Sequence, residues 1–84
     1  MKLYVVHDKI ANEDVSCFFM QNEATLRRSF LDCLEDVKKG KGRKPSFLRD
    51  GFSLYEYEQV SNPDWCMTNE IEILNLLPEL RNED

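Results

Sequence analysis

Residues 22–40 read NEATLRRSFLDCLEDVKKG, and this stretch carries the strongest local signal in the chain. Its apolar residues recur mostly three or four positions apart, so that they form one stripe along an α-helix. The members of the stripe are Leu26, Phe30, Cys33, Leu34 and Val37. The stretch predicts an amphipathic helix, and the rest of the chain must supply the apolar surface that the stripe covers.

The two ends of this helix are also marked in the sequence. Asn22 can accept a hydrogen bond from a backbone N–H of the first turn, and Glu23 follows where the helix dipole favours an anion. Lys38 and Lys39 fall in the last turn, where a cation is favoured, and Gly40 supplies the left-handed residue that commonly ends a helix. The capping residue, the apolar stripe and the terminating glycine therefore predict the same bounds for this helix.

Strand patterns flank the helix on both sides. Residues 2–8 and 16–21 are rich in β-branched, aromatic and other apolar residues and predict a hairpin whose turn lies at residues 10–14. Residues 52–60 predict a third strand, and residues 61–64, which read SNPD, predict a turn. Because the first two strands carry apolar residues on both faces, we expect both faces of the sheet to be covered.

The last part of the chain allows two interpretations. Residues 70–74 alternate as a strand would, and we favour a fourth strand that forms a hairpin with the third. Ile73, Leu76, Leu77 and Leu80 also fit helical spacing, so a short helix is the alternative. The predicted fold is an α+β sandwich of two layers, β-hairpin–α–β-hairpin, with one helix packed on an antiparallel sheet of three to four strands. Residues 1–84 form a single domain with a frayed tail from about residue 80.

Charge is distributed unevenly along the chain, whose net charge is −5. Residues 1–49 hold ten of the eleven lysines and arginines and seven acids, a balance of +3. Residues 50–84 hold one arginine and nine acids, a balance of −8. The first part of the chain could bind a polyanion. The last part would repel it, unless the fold keeps these two parts of the chain apart.

The sharpest local feature is KKGKGRKPSFLR, residues 38–49, which we call the basic segment. It contains six cations and no acid, and its glycines and proline disfavour regular structure. Such a loop could follow a phosphate backbone while Phe47 stacks on an unpaired base, with Arg27 and Arg28 extending the patch along the helix. The predicted nucleic-acid site comprises Arg27, Arg28, Lys38, Lys39, Lys41, Arg43, Lys44, Phe47 and Arg49. The alternative is a solvated loop whose charges keep the protein soluble.

Two further surfaces have alternative interpretations. The acidic C-terminal part is either solvent-facing charge or a docking surface for a basic partner, such as a phage or host protein or a second copy of the chain. Tyr4, Tyr55 and Tyr57 occupy strand positions, and those not under the helix would lie on the opposite face of the sheet. An apolar face of that size favours core or homodimer packing over a base-stacking platform.

No set of residues predicts catalysis, a metal or a cofactor. The three cysteines are not closely spaced, either with one another or with the single histidine, His7, as zinc ligands in small domains are. We expect them to be buried free thiols in a reducing compartment. Glu56 and Glu58 share a strand face without a cleft, which is weak evidence for acid–base chemistry. No apolar run approaches ~20 residues, so no membrane span is expected, and the start reads as a strand rather than a signal peptide.

Several stretches resemble the small nonstructural protein of gokushovirus-type microviruses, which are single-stranded DNA phages. The opening KLYVVHDKIA is similar to the start of that family. NEATLRRSF resembles its capped helix at Asn22, Ala24, Leu26, Arg27 and Phe30. PSFLRDGFSLYEYE is similar to a strand of the family at Pro45, Asp50, Phe52, Ser53, Leu54 and Tyr55. The resemblance covers residues 1 to about 60.

The resemblance implies a nonstructural phage protein made in the host bacterial cytoplasm, and it carries over no catalytic residues; with no catalytic set in the sequence, we expect a non-enzymatic protein. Such proteins are proposed to act in genome replication, by binding single-stranded DNA or by switching the infection towards its synthesis. The expected ligand is therefore single-stranded DNA, bound by a homodimer. The alternative is a protein-interaction module that binds a phage or host protein through its acidic C-terminal half or a sheet face.

Overall fold

A computed structural model describes residues 1–82, and Glu83 and Asp84 lie outside the described residues. The described chain forms one antiparallel sheet of four strands, with its helices packed on one face. In chain order the elements are β1 (Lys2–Asp8), β2 (Glu13–Met20), α1 (Glu23–Lys38), β3 (Phe52–Gln59), β4 (Trp65–Glu72), α2 (Ile73–Leu76) and a 3₁₀ helix (Pro78–Asn82). The predicted α+β order of hairpin, helix and hairpin is confirmed, with four strands.

The strands lie in the order β2-β1-β3-β4, so that the two hairpins meet along β1 and β3. Both hairpins pair antiparallel, and so do β1 and β3, with Val5 opposite Tyr55 at the centre of the sheet. The chain passes from the edge strand β2 through α1 and the basic segment to the inner strand β3. This connection places the basic segment at the end of the sheet where β1 ends and β3 begins, and the amide of Lys9 donates to the carbonyl of Gly51 there.

Helix α1 begins and ends close to the predicted residues. The Asn22 side chain accepts a hydrogen bond from the Thr25 amide at 2.8 Å, which makes it the expected N-cap. At the other end Gly40 has a φ of +77°, a left-handed conformation that suits glycine. Three residues of the predicted stripe are buried, namely Leu26, Phe30 and Leu34, while Cys33 and Val37 are half-buried.

The core lies between α1 and one face of the sheet. The largest fully buried side chains within it include Tyr4, Leu26, Leu48, Leu54, Ile73 and Leu77. Alternate residues of β1 and β3 supply the sheet side of this core, and α2 and the 3₁₀ helix close it from the C-terminal end. Burial of this apolar surface is the main source of stability.

The C-terminal region combines both interpretations of its sequence. Strand β4 starts at Trp65, earlier than the predicted residue 70, and ends at Glu72. The helical spacing of the following residues is then realised, because α2 and the 3₁₀ helix bury Ile73, Leu76, Leu77 and Leu80. Of the tail predicted to fray from about residue 80, residues 80–82 lie in the 3₁₀ helix with Leu80 buried, and the last two residues lie outside the described part of the chain.

The expectation that both faces of the sheet are covered is also wrong for the described chain. No described helix packs on the second face, which we call the open face. Alternation along the four strands assigns to it Leu3, Val5, His7, Cys17, Phe19, Ser53, Tyr55, Tyr57, Trp65, Met67, Glu70 and Glu72. Of the three tyrosines, Tyr4 belongs to the core, whereas Tyr55 and Tyr57 lie on the open face.

Candidate nucleic-acid interface

The first seven residues of the basic segment, KKGKGRK, run from Lys38, the last residue of α1, into an exposed turn, and we call residues 38–44 the overhang. All seven residues are exposed. A Cβ atom added at Gly40 or Gly42 would meet no heavy atom within 4 Å, so this turn stands clear of the rest of the molecule. The side chains of its five lysines and arginines are therefore exposed to solvent.

The overhang is fixed at both ends. On one side the amides of Lys39, Gly40 and Lys41 donate to the last carbonyls of α1, including a 2.8 Å bond from Lys41 to Asp36. On the other side Leu48 is fully buried in the core. These anchors satisfy the end of the helix and leave the side chains between them accessible.

Phe47 occupies a different place from the one predicted. Its ring packs at 5.8 Å from the Phe18 ring and 5.7 Å from the Phe30 ring, so that strand, helix and basic segment meet in one aromatic cluster. The half-buried Phe47 side chain thus packs against the core instead of projecting with the cations of the overhang. We therefore remove Phe47 from the stacking role and assign it to anchoring the basic segment.

Four acids of the C-terminal part, Glu56, Glu58, Glu72 and Glu79, pair with cations outside the basic segment. Lys2 lies 3.6 Å from Glu56 and 3.4 Å from Glu58, measured from ammonium nitrogen to carboxylate oxygen, and Lys9 is paired with Glu72. Within residues 1–82, Lys38, Lys39, Lys41 and Arg43 form no ion pair. The overhang thus keeps positive charge that the fold does not neutralise.

The two helix arginines do not extend the overhang. Arg27 donates to Glu79 at 2.7 Å, which ties α1 to the 3₁₀ helix and engages its guanidinium. Arg28 is exposed, but it lies ten residues before Lys38, a distance of about 15 Å along the helix axis. The acids Asp32, Glu35 and Asp36 intervene between them in the sequence. The candidate site therefore contracts to the overhang.

Arg49 lies beyond the apolar anchor and is held against the body of the protein. Its guanidinium carbon sits 5.5 Å from the centre of the Phe52 ring, within the range of a cation–π contact. It also lines a small groove with Asp8 and Asp50. Two carboxylates beside this arginine make it a weaker phosphate ligand than the overhang cations.

A polar cluster that the sequence pattern did not reveal lies inside the sheet. The Tyr4 hydroxyl donates to one oxygen of the Glu56 carboxylate at 2.7 Å, and the Thr68 hydroxyl donates to the other at 3.1 Å. Thr68 reaches this carboxylate at an irregularity in the β3–β4 pairing. Only the register of three strands brings these residues together, so spacing along the sequence gives no signal for them.

Protonation in this cluster follows from its contacts. Burial opposes ionisation of Glu56, yet the hydrogen bonds from Tyr4 and Thr68 and the charge of Lys2 outweigh it and hold the pKa of Glu56 below its ordinary value of 4.5. Burial, together with the neighbouring carboxylate, raises the pKa of Tyr4 above its ordinary value of 10.0. Glu56 is thus a charged structural acceptor whose oxygens are engaged, which leaves little room for a catalytic role.

The cysteines are free, but the prediction that they are buried is wrong for two of them. Cys17 and Cys66 are exposed on edge strands, and Cys33 is half-buried on α1. The Nδ1 atom of His7 lies 2.9 Å from the Oδ1 atom of Asp14, and the His7 ring packs beside the Tyr55 ring. Within the described part of the chain, no three His, Cys, Asp or Glu side chains are grouped so that they could hold a metal ion.

A scan against models of protein families finds no match to the chain, and comparisons with curated proteins and with solved structures find none either. The resemblance to the microvirus nonstructural protein therefore stays a prediction. Within residues 1–82 no helix combines the length and the apolar character needed to cross a lipid bilayer.

Proposed function

We propose that this protein is a small non-enzymatic module that binds single-stranded nucleic acid, with DNA as the expected ligand, through the overhang. The observation that carries the proposal is the open space around Gly40 and Gly42, together with the exposed cations beside them that form no ion pair within residues 1–82: Lys38, Lys39, Lys41 and Arg43. A flexible single strand of nucleic acid can bend so that its phosphates reach these cations. In a rigid duplex the spacing of the phosphates is fixed and would have to match the spacing of the cations.

The negative net charge of the molecule limits the range over which the overhang can attract a polyanion. The whole chain is acidic, so attraction for a polyanion must come from within about one Debye length of the overhang, ~8–10 Å at moderate salt. Pairing of Lys2, Lys9 and Arg27 with later acids lowers the local repulsion from that half of the chain. The overhang is the part of the described chain where unneutralised positive charge is concentrated.

Affinity should then depend on salt in proportion to the phosphates contacted. Contacts from Lys38, Lys39, Lys41 and Arg43 to a single strand give a slope of log K against log salt of about −2.8, because each contact releases condensed counterions. A rise from about 50 to about 300 mM salt would weaken binding by roughly two to three orders of magnitude. The loss of Phe47 as a stacking group leaves phosphate contacts as the main source of affinity, so little sequence preference is expected.

The test is a fluorescence anisotropy titration with labelled single-stranded and double-stranded oligonucleotides at the two salt levels. Tighter binding of the single strand with a steep salt dependence supports the proposal. Affinity that does not change with salt, or absence of binding at the lower salt level, contradicts it. A function in phage genome replication in the bacterial cytoplasm is the setting that the sequence resemblance favours for such a module.

A further inference from the structure

The open face exposes large apolar side chains on a sheet that otherwise packs its apolar residues well. Phe19 is 58 %, Met67 51 % and Trp65 37 % exposed. The strand register sets Phe19, Leu3, Tyr57 and Met67 side by side across all four strands. Contiguous apolar surface of this kind is uncommon on a protein that stays monomeric.

Two aromatic rings from opposite edges of the sheet meet over this row. Phe19 on β2 and Trp65 on β4 have ring centroids 6.1 Å apart, although two strands separate them. Three strand spacings are about 14 Å, so both rings must lean inward over β1 and β3. The aromatic pair therefore lies over the strands that carry Leu3 and Tyr57 at this end of the open face.

The charges on the open face argue against a polyanion as its occupant. Glu70 and Glu72 lie on it at β4, and Asp14 pairs opposite His7 at the other edge. The nearest lysine there, Lys9, is already paired with Glu72. Aromatic side chains alone could stack on bases, but this acidic border would repel the phosphates that connect them.

We infer that the open face binds the open face of a second copy, so that two sheets stack with both helices outside. Four strands of seven or eight residues cover about 19 by 25 Å, so two faces together bury about 1,000 Å², the size at which specific interfaces begin. A domain of 84 residues also buries a smaller share of its surface by itself than a larger domain does, so burial against a partner would add to its stability. This inference does not depend on the proposed nucleic-acid function.

The first test measures molar mass by light scattering at several protein concentrations. The wild-type chain should reach about 20 kDa, twice the 9.9 kDa of one copy. Met67→Glu and Phe19→Glu should each weaken the dimer at least about 100-fold, because a two-fold interface takes up every substitution twice and buries both new charges. Ile10→Glu is the matched control, since it changes the charge equally at a residue that is 88 % exposed on the β1–β2 turn and should leave the dimer intact.

The second test needs no variant, so it stands even if a substitution unfolds the chain. Cys17 lies on the open face beside Val5, whereas Cys66, opposite Glu58, points to the other side of the sheet. In the dimer, labelling of Cys17 by a maleimide should slow at least about tenfold relative to dilute protein, while Cys66 keeps its rate. Peptide mapping by mass spectrometry separates the two thiols.

Several results would overturn the inference. One is a mass of 9.9 kDa at every concentration up to about 1 mM, the weak end of protein association. Another is a dimer that survives both glutamate variants or leaves Cys17 as reactive as in dilute protein. A monomer whose oligonucleotide affinity falls on Phe19→Glu would instead identify the open face as a stacking platform.

Discussion

At the scale of single residues, Glu56 connects three strands through one carboxylate. It is 7 % exposed, and Tyr4 on β1 and Thr68 on β4 both donate to it, while Lys2 lies within ion-pair distance. A buried charge with this many partners is stable only while all of them are present. The sequence shows Glu56 as one more alternating strand residue, and only the register of β1, β3 and β4 explains why an acid is tolerated in the core.

Replacement of this carboxylate should therefore be costly. Glu56→Gln keeps the shape but removes the charge that the two hydroxyls and Lys2 face, and we expect the free energy of unfolding to fall by about 1–3 kcal/mol. Glu58→Gln is the matched control, because that side chain also pairs with Lys2 but is about half exposed. Urea denaturation followed by circular dichroism measures both variants, and equal losses would contradict the assigned role of Glu56.

The same cluster predicts a dependence of stability on pH. Because the pKa of Glu56 is lower in the folded protein than its ordinary value of 4.5, its contribution is complete above that value and is lost as the pH falls through the folded pKa. The free energy of unfolding should fall more steeply below pH about 5 in the wild type than in Glu56→Gln. Parallel pH curves for the two proteins would show that Glu56 does not titrate as described.

At the scale of elements, local signals predicted the helix well and the strand ends less well. The bounds of helix α1 agree with the prediction because its capping residue, apolar stripe and terminating glycine are all local features of the sequence. Strand β4 starts five residues before the predicted position, because its pairing with β3 decides the start and residues 65–68, WCMT, lack the alternation of apolar and polar residues that would mark a strand locally. The position of Phe47 depends on contacts with Phe18 and Phe30, which are distant in the sequence, so its role could not be read locally.

Phe47 gives an element-scale prediction that separates packing from base stacking. Phe47→Leu keeps an apolar side chain but removes the ring, and we expect it to lower the free energy of unfolding by about 1 kcal/mol. Oligonucleotide affinity at a temperature where the variant is fully folded should stay within about twofold of the wild type, because no base stacks on Phe47, whereas loss of a stacked base would cost about 1–3 kcal/mol. Anisotropy and denaturation on the same sample measure both effects. A large affinity loss with stability unchanged would restore the stacking role.

At the scale of the whole molecule, the fold separates the exposed cations of the overhang from acids that follow residue 49 and pair with other cations, a separation that the sequence only suggested. Four acids after residue 49 pair with Lys2, Lys9 and Arg27, while the overhang lies near the end of the sheet where β1 ends. The sequence located the cations, but it could not show that Gly40 and Gly42 stand clear of the body or that Arg27 is engaged by Glu79. A dimer formed through the open face would carry two such overhangs on one particle.

The most direct test of the central claim is the salt dependence of single-stranded DNA binding in two arginine variants. Arg43→Gln removes an exposed cation of the overhang that has no ion pair within residues 1–82, whereas Arg81→Gln removes the same charge from the 3₁₀ helix. We predict that Arg43→Gln lowers the magnitude of the slope of log K against log salt by about 0.7 to 1, and that Arg81→Gln leaves it unchanged. Equal slopes for Arg43→Gln and the wild type would contradict the account.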